Sequence, residues 1–177
     1  MSWQTKSKEV VFENPWLRVE DHAVINPAGN PAQYGIVHFK NRAVGVVALT
    51  DDLQIYLVGQ SRYALDCYSW EIPEGGCPEH EAVEDAAKRE LREETGLMAK
   101  HIEPLFKMHL SNSVSDETAY LFLATELTLG EQQLEESEDI SVKKLPLKDA
   151  IAMIECGEIT DAITIAALFA IERRFAQ

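Results

Sequence analysis

Apolar and polar positions alternate over short distances in the first forty residues, which predicts strands rather than helices. Strands are expected at 10–12, Leu17–Ile25 and 34–39, because Asn, Pro and Gly residues separate these segments. The three segments predict a small antiparallel β-meander. We expect it to form an N-terminal extension of residues 1–41, followed by a main domain of residues 42–177.

A denser apolar run begins the main domain. Residues 43–49 are rich in β-branched side chains, which is typical of a buried strand. Residues 53–58 are expected to pair with this strand as a hairpin after a turn at Asp51 and Asp52. The segment 59–70 is polar and aromatic, and we predict a loop there.

The remaining elements alternate irregularly between strand and helix. Strands are predicted at 102–109, 119–125 and 140–144, and helices at 78–95, 147–155 and 161–175. The absence of a regular βαβ order favours an α+β fold, with a mixed sheet between helices. Residues 131–139 carry five acids and no base, which is typical of a solvated loop.

The helix predicted at 78–95 changes character halfway along. Its apolar stripe begins at Val83, Ala86 and Ala87, and one turn later the same stripe becomes Glu90 and Glu94. Carboxylates four residues apart repel each other, and acids are also disfavoured in a last turn. A solvated acidic face does not explain why the acids follow the core stripe, whereas a cation site does.

The residue types on that stripe indicate which cation would bind. Glu93 lies beside Glu90 and Glu94, so the donors are all carboxylate oxygens, which suit Mg²⁺ or Mn²⁺ rather than zinc. The five histidines show no ligand spacing, and we expect them to be structural or surface residues.

Composition narrows the possible partners. The chain has 177 residues, 16 Lys and Arg against 30 Asp and Glu, and a net charge of -14. This charge argues against nucleic acid and against anionic lipid as partners. An acidic protein that binds phosphates needs metal ions to supply positive charge.

Cysteine usage and apolar run lengths indicate a compartment. Cys67, Cys77 and Cys156 are odd in number and widely spaced, which favours reduced thiols in a cytoplasmic protein. The N-terminus lacks the apolar core of a signal peptide, and no apolar run reaches the roughly 20 residues that span a bilayer.

One spaced motif carries the most specific signal. Its fixed positions are Gly75, Glu81, Arg89, Glu90, Leu91, Glu93, Glu94, Gly96 and Leu97. This spacing resembles the Nudix box at every fixed position. Residues 70–73 before it and the strand at 120–124 after it are also similar to that family.

The resemblance implies a mixed sheet between helices and hydrolysis of a nucleoside diphosphate linked to another group. It implies that Mg²⁺ or Mn²⁺ is bound by Glu90, Glu94 and Glu93, and by the carbonyl of Glu74. It implies that Arg89 holds a box carboxylate in place, although an isolated arginine is more often a surface residue.

The N-terminal extension and residues 60–63 look like the ADP-ribose pyrophosphatase subgroup, in which the extension helps to build a homodimer. Arg62 matches a phosphate-contacting arginine of that subgroup. Tyr63 and Trp70 are candidates for stacking on a base, with core packing as the alternative. Glu117, in the loop 111–117, is the candidate general base. Glu117 is alternatively a metal ligand. A separate alternative places the base within the box, at Glu93.

ADP-ribose is therefore the expected substrate, with cleavage to AMP and ribose 5-phosphate. GDP-mannose or a dinucleoside polyphosphate would require the same chemistry. Capped RNA fits the negative charge less well. A non-catalytic sensor of ADP-ribose is the alternative outside enzymes, and the intact box argues against it.

Overall fold

Ten strands and three helices form in residues 2–134 and 139–175, the part of the chain that the computed structural model describes. The strands are β1 (Gln4–Glu13), β2 (Leu17–Ile25), β3 (Pro31–Phe39), β4 (Arg42–Ala48), β5 (Gln54–Arg62), β6 (Cys67–Glu71), β7 (Glu74–Cys77), β8 (Leu97–His109), β9 (Thr118–Leu129) and β10 (Ser141–Pro146). The helices are α1 (Val83–Thr95), α2 (Leu147–Glu155) and α3 (Ala162–Phe175). Residues 135–138 of the predicted acidic loop lie outside the described residues.

The predicted N-terminal meander is confirmed as an antiparallel sheet of order β1-β2-β3. The first strand is longer than predicted, since it spans ten residues, and every one of them is exposed. The sheet therefore presents an uncovered edge strand at β1.

The central sheet has the order β7-β4-β9-β8, and it is mixed because β4 runs parallel to β9 and antiparallel to β7. Val44 and Val46 point to one face, where they pack with Ala86 and Leu91 of α1. The other face packs against α2 and α3, where Val47 of β4 meets residues such as Ile151, Ile163 and Leu168. The predicted α+β fold, a mixed sheet between helices, is confirmed.

The predicted hairpin is wrong. Both edges of β4 are occupied by β7 and β9, so β5 joins a separate sheet of order β10-β5-β6 and meets the end of β4 at an isolated bridge between Leu49 and Ile55. The predicted loop at 59–70 is also wrong, because β5 continues to Arg62 and β6 begins at Cys67, the residue that pairs with it. Only residues 63–66 form the turn between the two strands.

The helix α1 begins at Val83 rather than at Pro78. A turn precedes it, in which the Glu81 N–H donates to the Pro78 carbonyl at 3.1 Å. Arg42 Nη2 donates to the carbonyls of Pro78 and Glu81 at 2.8 and 2.6 Å, and so satisfies acceptors that a longer helix would have used internally. The predicted stop is confirmed, since Gly96 lies in the left-handed region at φ 72°.

All three cysteines are free thiols, as predicted. None of the helices in residues 2–134 and 139–175 has the length and apolar character that a membrane crossing requires.

Candidate active site

The strand β7 and the helix α1 form a corner at which carboxylates of the helix contact the backbone of the strand. Glu94 is 1% exposed and Glu90 is 7% exposed, so both acids of the stripe are buried, as the sequence pattern predicted. The Glu74 N–H donates to Glu94 Oε2 at 2.9 Å. A Cβ on Gly75 would overlap the carboxylate of Glu90. Glycine at this position therefore lets a carboxylate lie directly against the strand.

Arg89 binds several of these carboxylates together. Its Nε and Nη2 donate to the two oxygens of Glu81 at 3.0 and 2.9 Å, and its Nη1 donates to Glu90 at 2.7 Å and Glu93 at 2.9 Å. Nη2 also donates to the Gly76 carbonyl at 2.8 Å. These bonds, that to Glu81 above all, raise the pKa of Arg89, and the bond from Arg89 lowers the pKa of Glu81. One guanidinium thus fixes the orientation of three acids on a crowded helix.

A second ion-paired cluster lies across β5, β6 and β7. Arg62 Nε donates to Glu71 Oε1 at 2.9 Å, and Arg62 Nη2 pairs with Glu71 Oε2. Nη2 also donates to Glu74 Oε1 at 3.2 Å. Glu71 is 3% exposed. The other Glu74 oxygen, Oε2, is buried and has no hydrogen-bond partner within residues 2–134 and 139–175.

Burial raises the pKa of Glu74 well above its usual range. The carboxylates of Asp161, Glu71 and Glu94 act in the same direction, while Arg62 opposes them. The site therefore holds more negative charge than its arginine neutralises. Its donors are all oxygens, and an orphaned buried carboxylate oxygen is among them, so the residues fit a hard divalent cation.

A cavity of about 590 Å³ opens beside this cluster. Its charged lining residues are Arg42, Arg62, Glu71, Glu74, Glu117 and Asp161, and its apolar walls include Trp16, Phe39 and Leu65. Burial raises the pKa of Glu117, and the charges of Asp116 and Asp161 raise it further. Glu93, Glu90 and Arg89 line an adjoining cavity of about 910 Å³, and the two cavities share Gly76 in their linings.

The loop 111–117, which carries Glu117, is fastened to β3. The Val37 N–H donates to the Val114 carbonyl at 2.8 Å, and the Asp116 N–H donates to the Val37 carbonyl at 3.3 Å. The Phe39 N–H donates to Asp116 Oδ1 at 3.0 Å, and the Tyr34 hydroxyl donates to the Ser113 carbonyl. The N-terminal sheet thus sets the position of the loop.

The predicted site residues are only partly brought together. The residues that line the two adjoining cavities are Arg62, Glu74, Arg89, Glu90, Glu93 and Glu117. Glu94 lines neither cavity, but it contacts the backbone of Glu74 behind them. Tyr63 is fully exposed on the turn after β5, and Trp70 packs on the core beneath Lys143, whose Nζ lies 3.8 Å from the ring centre. Neither ring lines the cavity of Glu117.

Two acids of the cavity received no role from the sequence. Glu71 directly follows the segment 59–70 that was predicted as a loop, and no strand was assigned to it, so its burial at the end of β6 was not expected. Asp161 precedes α3, and its Oδ2 accepts the Thr164 N–H at 2.7 Å. The sequence placed Asp161 at the start of the helix predicted at 161–175, but its approach to Glu74 depends on tertiary packing.

Carboxylates gathered at a helix–strand corner, with oxygen donors only, define a site for divalent cations beside a ligand cavity. The family model of the NUDIX domain matches residues 39–168, and that of the nucleoside diphosphate sugar hydrolase N-terminal domain matches residues 3–37. The chain belongs to the Nudix family, and its class of activity is that of a Nudix pyrophosphohydrolase. Enzymes of this family generally use divalent metals.

Similar proteins cover almost the whole chain. An ADP-ribose pyrophosphatase of Bacillus subtilis is 35% identical over 167 residues, which are 93% of this chain and 90% of that protein. An ADP-ribose pyrophosphatase of Mycobacterium tuberculosis is 31% identical over 177 residues, covering 96% of this chain and 83% of that protein. The crystal structure of an ADP compounds hydrolase aligns with a TM-score of 0.89 at 22% identity, over 99% of this chain and 95% of that chain, and shows the shared fold.

Proposed function

We propose that this chain hydrolyses the diphosphate linkage of ADP-ribose, giving AMP and ribose 5-phosphate. The observation that carries this proposal is the cavity in which Arg62 and Glu117 face the carboxylate corner of β7 and α1. The names of the two relatives that span nearly the whole chain support the choice of substrate.

Mg²⁺ or Mn²⁺ is the proposed cofactor. Glu90, Glu94 and Glu93 would hold it, together with the carbonyl or the orphaned carboxylate oxygen of Glu74. A bound cation would neutralise phosphate oxygens and lower the pKa of a water molecule. Since this site carries excess negative charge of its own, the cation is also what allows an anionic substrate to enter it.

Glu117 is the proposed general base. Its carboxylate lines the cavity, and its raised pKa makes it a better proton acceptor than an ordinary surface acid. It would take the proton of the attacking water as the bond between phosphorus and the bridging oxygen breaks. Glu93 is the alternative base, since it lines the adjoining cavity and is oriented by Arg89.

Arg62 is the proposed phosphate contact, because its guanidinium lines the cavity and its Nη1 is not among the atoms that bind Glu71 and Glu74. Its ion pairs with Glu71 and Glu74 preorganise it. Stacking by Tyr63 or Trp70 remains a prediction from the sequence.

We further propose a cytoplasmic homodimer. The division into an extension of residues 1–41 and a catalytic domain of residues 42–177 fits this assembly, because the extension leaves large apolar side chains exposed. These are Trp3, Val10, Val11, Phe12 and Trp16. The three free thiols support a reducing compartment.

A substrate panel tests the proposed activity. The native chain, Glu94→Gln and the matched control Glu84→Gln would be incubated with ADP-ribose, GDP-mannose or diadenosine polyphosphates and Mg²⁺, and the products separated by chromatography. We expect AMP and ribose 5-phosphate from ADP-ribose with the native chain and the control, because Glu84 is exposed on the same helix. Faster cleavage of GDP-mannose than of ADP-ribose would make GDP-mannose the assigned substrate. Binding of ADP-ribose without cleavage would indicate a sensor.

A further inference from the structure

A cluster of two histidines and a glutamate lies in the N-terminal sheet. Glu20 and His22 are two apart on β2 and so share a face, and His38 lies on the neighbouring strand β3. Glu20, His22 and His38 each offer one ligand atom, and these atoms lie within 4.8 Å of one another. The sequence showed no ligand spacing here because strand pairing, rather than a local motif, brings the residues together.

The spacing of the donor atoms suits a small four-coordinate cation. Glu20 Oε2 lies 3.3 Å from His38 Nε2, and it lies 2.8 Å from His22 Nε2, a hydrogen bond that would lengthen by about half an ångström when a metal replaced its proton. In a tetrahedral zinc site with bonds of about 2.0–2.1 Å, ligand atoms lie about 3.3 Å apart. The side chains are 4%, 11% and 25% exposed for Glu20, His22 and His38, so the donors are largely shielded from water.

The environment of His38 points to a ligand on its outer nitrogen. Its Nδ1 lies 2.6 Å from Asp116 Oδ2, and Asp116 is itself held by the Phe39 N–H. Its Nε2 is buried and makes no hydrogen bond within residues 2–134 and 139–175, although it faces Glu20. A carboxylate on one imidazole nitrogen, with the other left for a metal, is the usual arrangement around a metal-bound histidine.

The two oxygens of Glu20 have different partners, because Oε2 forms a hydrogen bond with His22 Nε2 and a metal bound there would replace the proton of that bond. Arg18 Nε lies 2.9 Å from Glu20 Oε1, whereas both histidines approach Oε2. Lys8 Nζ lies 3.9 Å from Oε2, but its side chain is 64% exposed and can turn into solvent. The charge of Arg18 thus lies on the Oε1 side of the carboxylate and leaves Oε2 facing the two histidines.

We propose that Glu20, His22 and His38 form a site for Zn²⁺, with water completing the coordination and Asp116 orienting His38. Two imidazoles and a carboxylate select zinc or a similar transition metal, whereas the oxygen-only corner of β7 and α1 selects Mg²⁺ or Mn²⁺. The ion would join β2 and β3 to the loop 111–117, since Asp116 belongs to that loop. The site stands on its own geometry and does not depend on the proposed substrate.

The test measures metal binding by the full chain with excess Mg²⁺ present, so that the carboxylate corner is occupied. We expect one equivalent of Zn²⁺ to remain bound by elemental analysis, and Co²⁺ in its place to give the strong visible absorption of a four-coordinate site. Glu94→Gln and the exposed control His109→Gln should keep both signals. His22→Gln and His38→Gln should lose them, and Asp116→Asn should weaken affinity roughly 10–100-fold.

A second measurement needs no variant. Nitrogen shifts of the imidazoles in the native chain, followed by NMR during Zn²⁺ addition, should move for two histidines and leave the other three unchanged. The proposal is overturned if no histidine responds, or if the bound Zn²⁺ disappears in Glu94→Gln and persists in the double variant of His22 and His38. Loss of the fold in a variant, checked by circular dichroism, leaves the native NMR titration to decide.

Discussion

At the residue scale, the site depends on a glycine, because residue 75 has no side chain. Gly75 faces the carboxylate of Glu90 so closely that no Cβ fits between them. Glu90 is nearly buried on the same helix face as Ala86 and Ala87, so it has little room to retreat. Glycine is required here by close approach, since its φ is not in the left-handed region.

Gly75→Ala should therefore damage the site more than the fold. Displacement of Glu90 by about an ångström should reduce kcat roughly 10²-fold, the scale expected for misplaced catalytic groups. Gly35→Ala is the matched control, because a Cβ at that strand position meets nothing within 4 Å. Initial rates at saturating Mg²⁺ would be compared for both variants, and an unchanged kcat in Gly75→Ala would remove Glu90 from the site.

Glu94→Gln should separate activity from stability. The amide oxygen can still accept the Glu74 N–H, so the strand–helix contact is kept. Loss of one charge relieves repulsion with the other acids, so the metal-free protein should be more stable by about 0.2–0.5 kcal/mol. Most turnover should be lost. Urea unfolding and initial rates check both statements, and full turnover at saturating Mg²⁺ would refute the role of Glu94 as a ligand.

At the scale of elements, the helix α1 and its buried acids were predictable from the sequence, but the residue at which the helix begins was not. Periodicity placed Glu90 and Glu94 on the core stripe, and both are buried. The true start at Val83 depends on Arg42, which is distant in sequence and binds the carbonyls of Pro78 and Glu81. The pairing of β4 with β9 is also non-local. The sequence pattern carries no signal for it, so a hairpin between neighbouring strands was predicted instead.

The same distinction applies to the site. The acids of one helix were readable from spacing, because 3.6 residues per turn fixes their common face. Glu71 and Asp161 reach the cavity only through the packing of β6 and of the turn before α3. No local pattern carries that information.

The C-terminal stop of α1 gives a prediction about packing. Gly96 and Gly157 both lie in the left-handed region, at φ 72° and 81°. A Cβ on Gly96 would lie 3.0 Å from the Gln132 nitrogen, whereas a Cβ on Gly157 meets nothing within 4 Å. Gly157→Ala should cost about 1–2 kcal/mol of unfolding free energy from backbone strain alone, and Gly96→Ala should cost more. Equal losses in urea unfolding would contradict the packing contribution.

The loop 111–117 gives a prediction about the base. If Glu117 is the base, Glu117→Gln should lower kcat roughly 10²–10⁴-fold while the Mg²⁺ concentration for half activity stays constant. If it is a metal ligand, that concentration should rise as well. If Glu93 is the base, Glu117→Gln should remain nearly fully active and Glu93→Gln should not. Rates of both variants across a Mg²⁺ titration distinguish these outcomes, and only the first supports Glu117.

At the scale of the whole molecule, a chain of net charge -14 is proposed to bind an anionic substrate. The field of the protein opposes that encounter, so the cation and Arg62 must reverse the potential locally. The N-terminal extension also contributes to this cavity. Its strand β3 is hydrogen-bonded to the loop that carries Glu117, and its Trp16 lines the cavity wall. The extension therefore contributes to the cavity as well as to the proposed dimer.

The exposed face of the extension leads to the prediction of a homodimer. Val10, Phe12 and Trp16 are 49%, 54% and 70% exposed on or beside an uncovered edge strand, an arrangement that favours association. The native chain should sediment near twice 19.9 kDa at micromolar concentration. Val10→Ser with Phe12→Ser should shift it toward the monomer. Leu129→Ser is the control, because Leu129 is 80% exposed at the end of β9 and should leave the assembly unchanged. A native monomer at that concentration would refute the proposed dimer and would count against the resemblance to ADP-ribose pyrophosphatases, which implied a dimer.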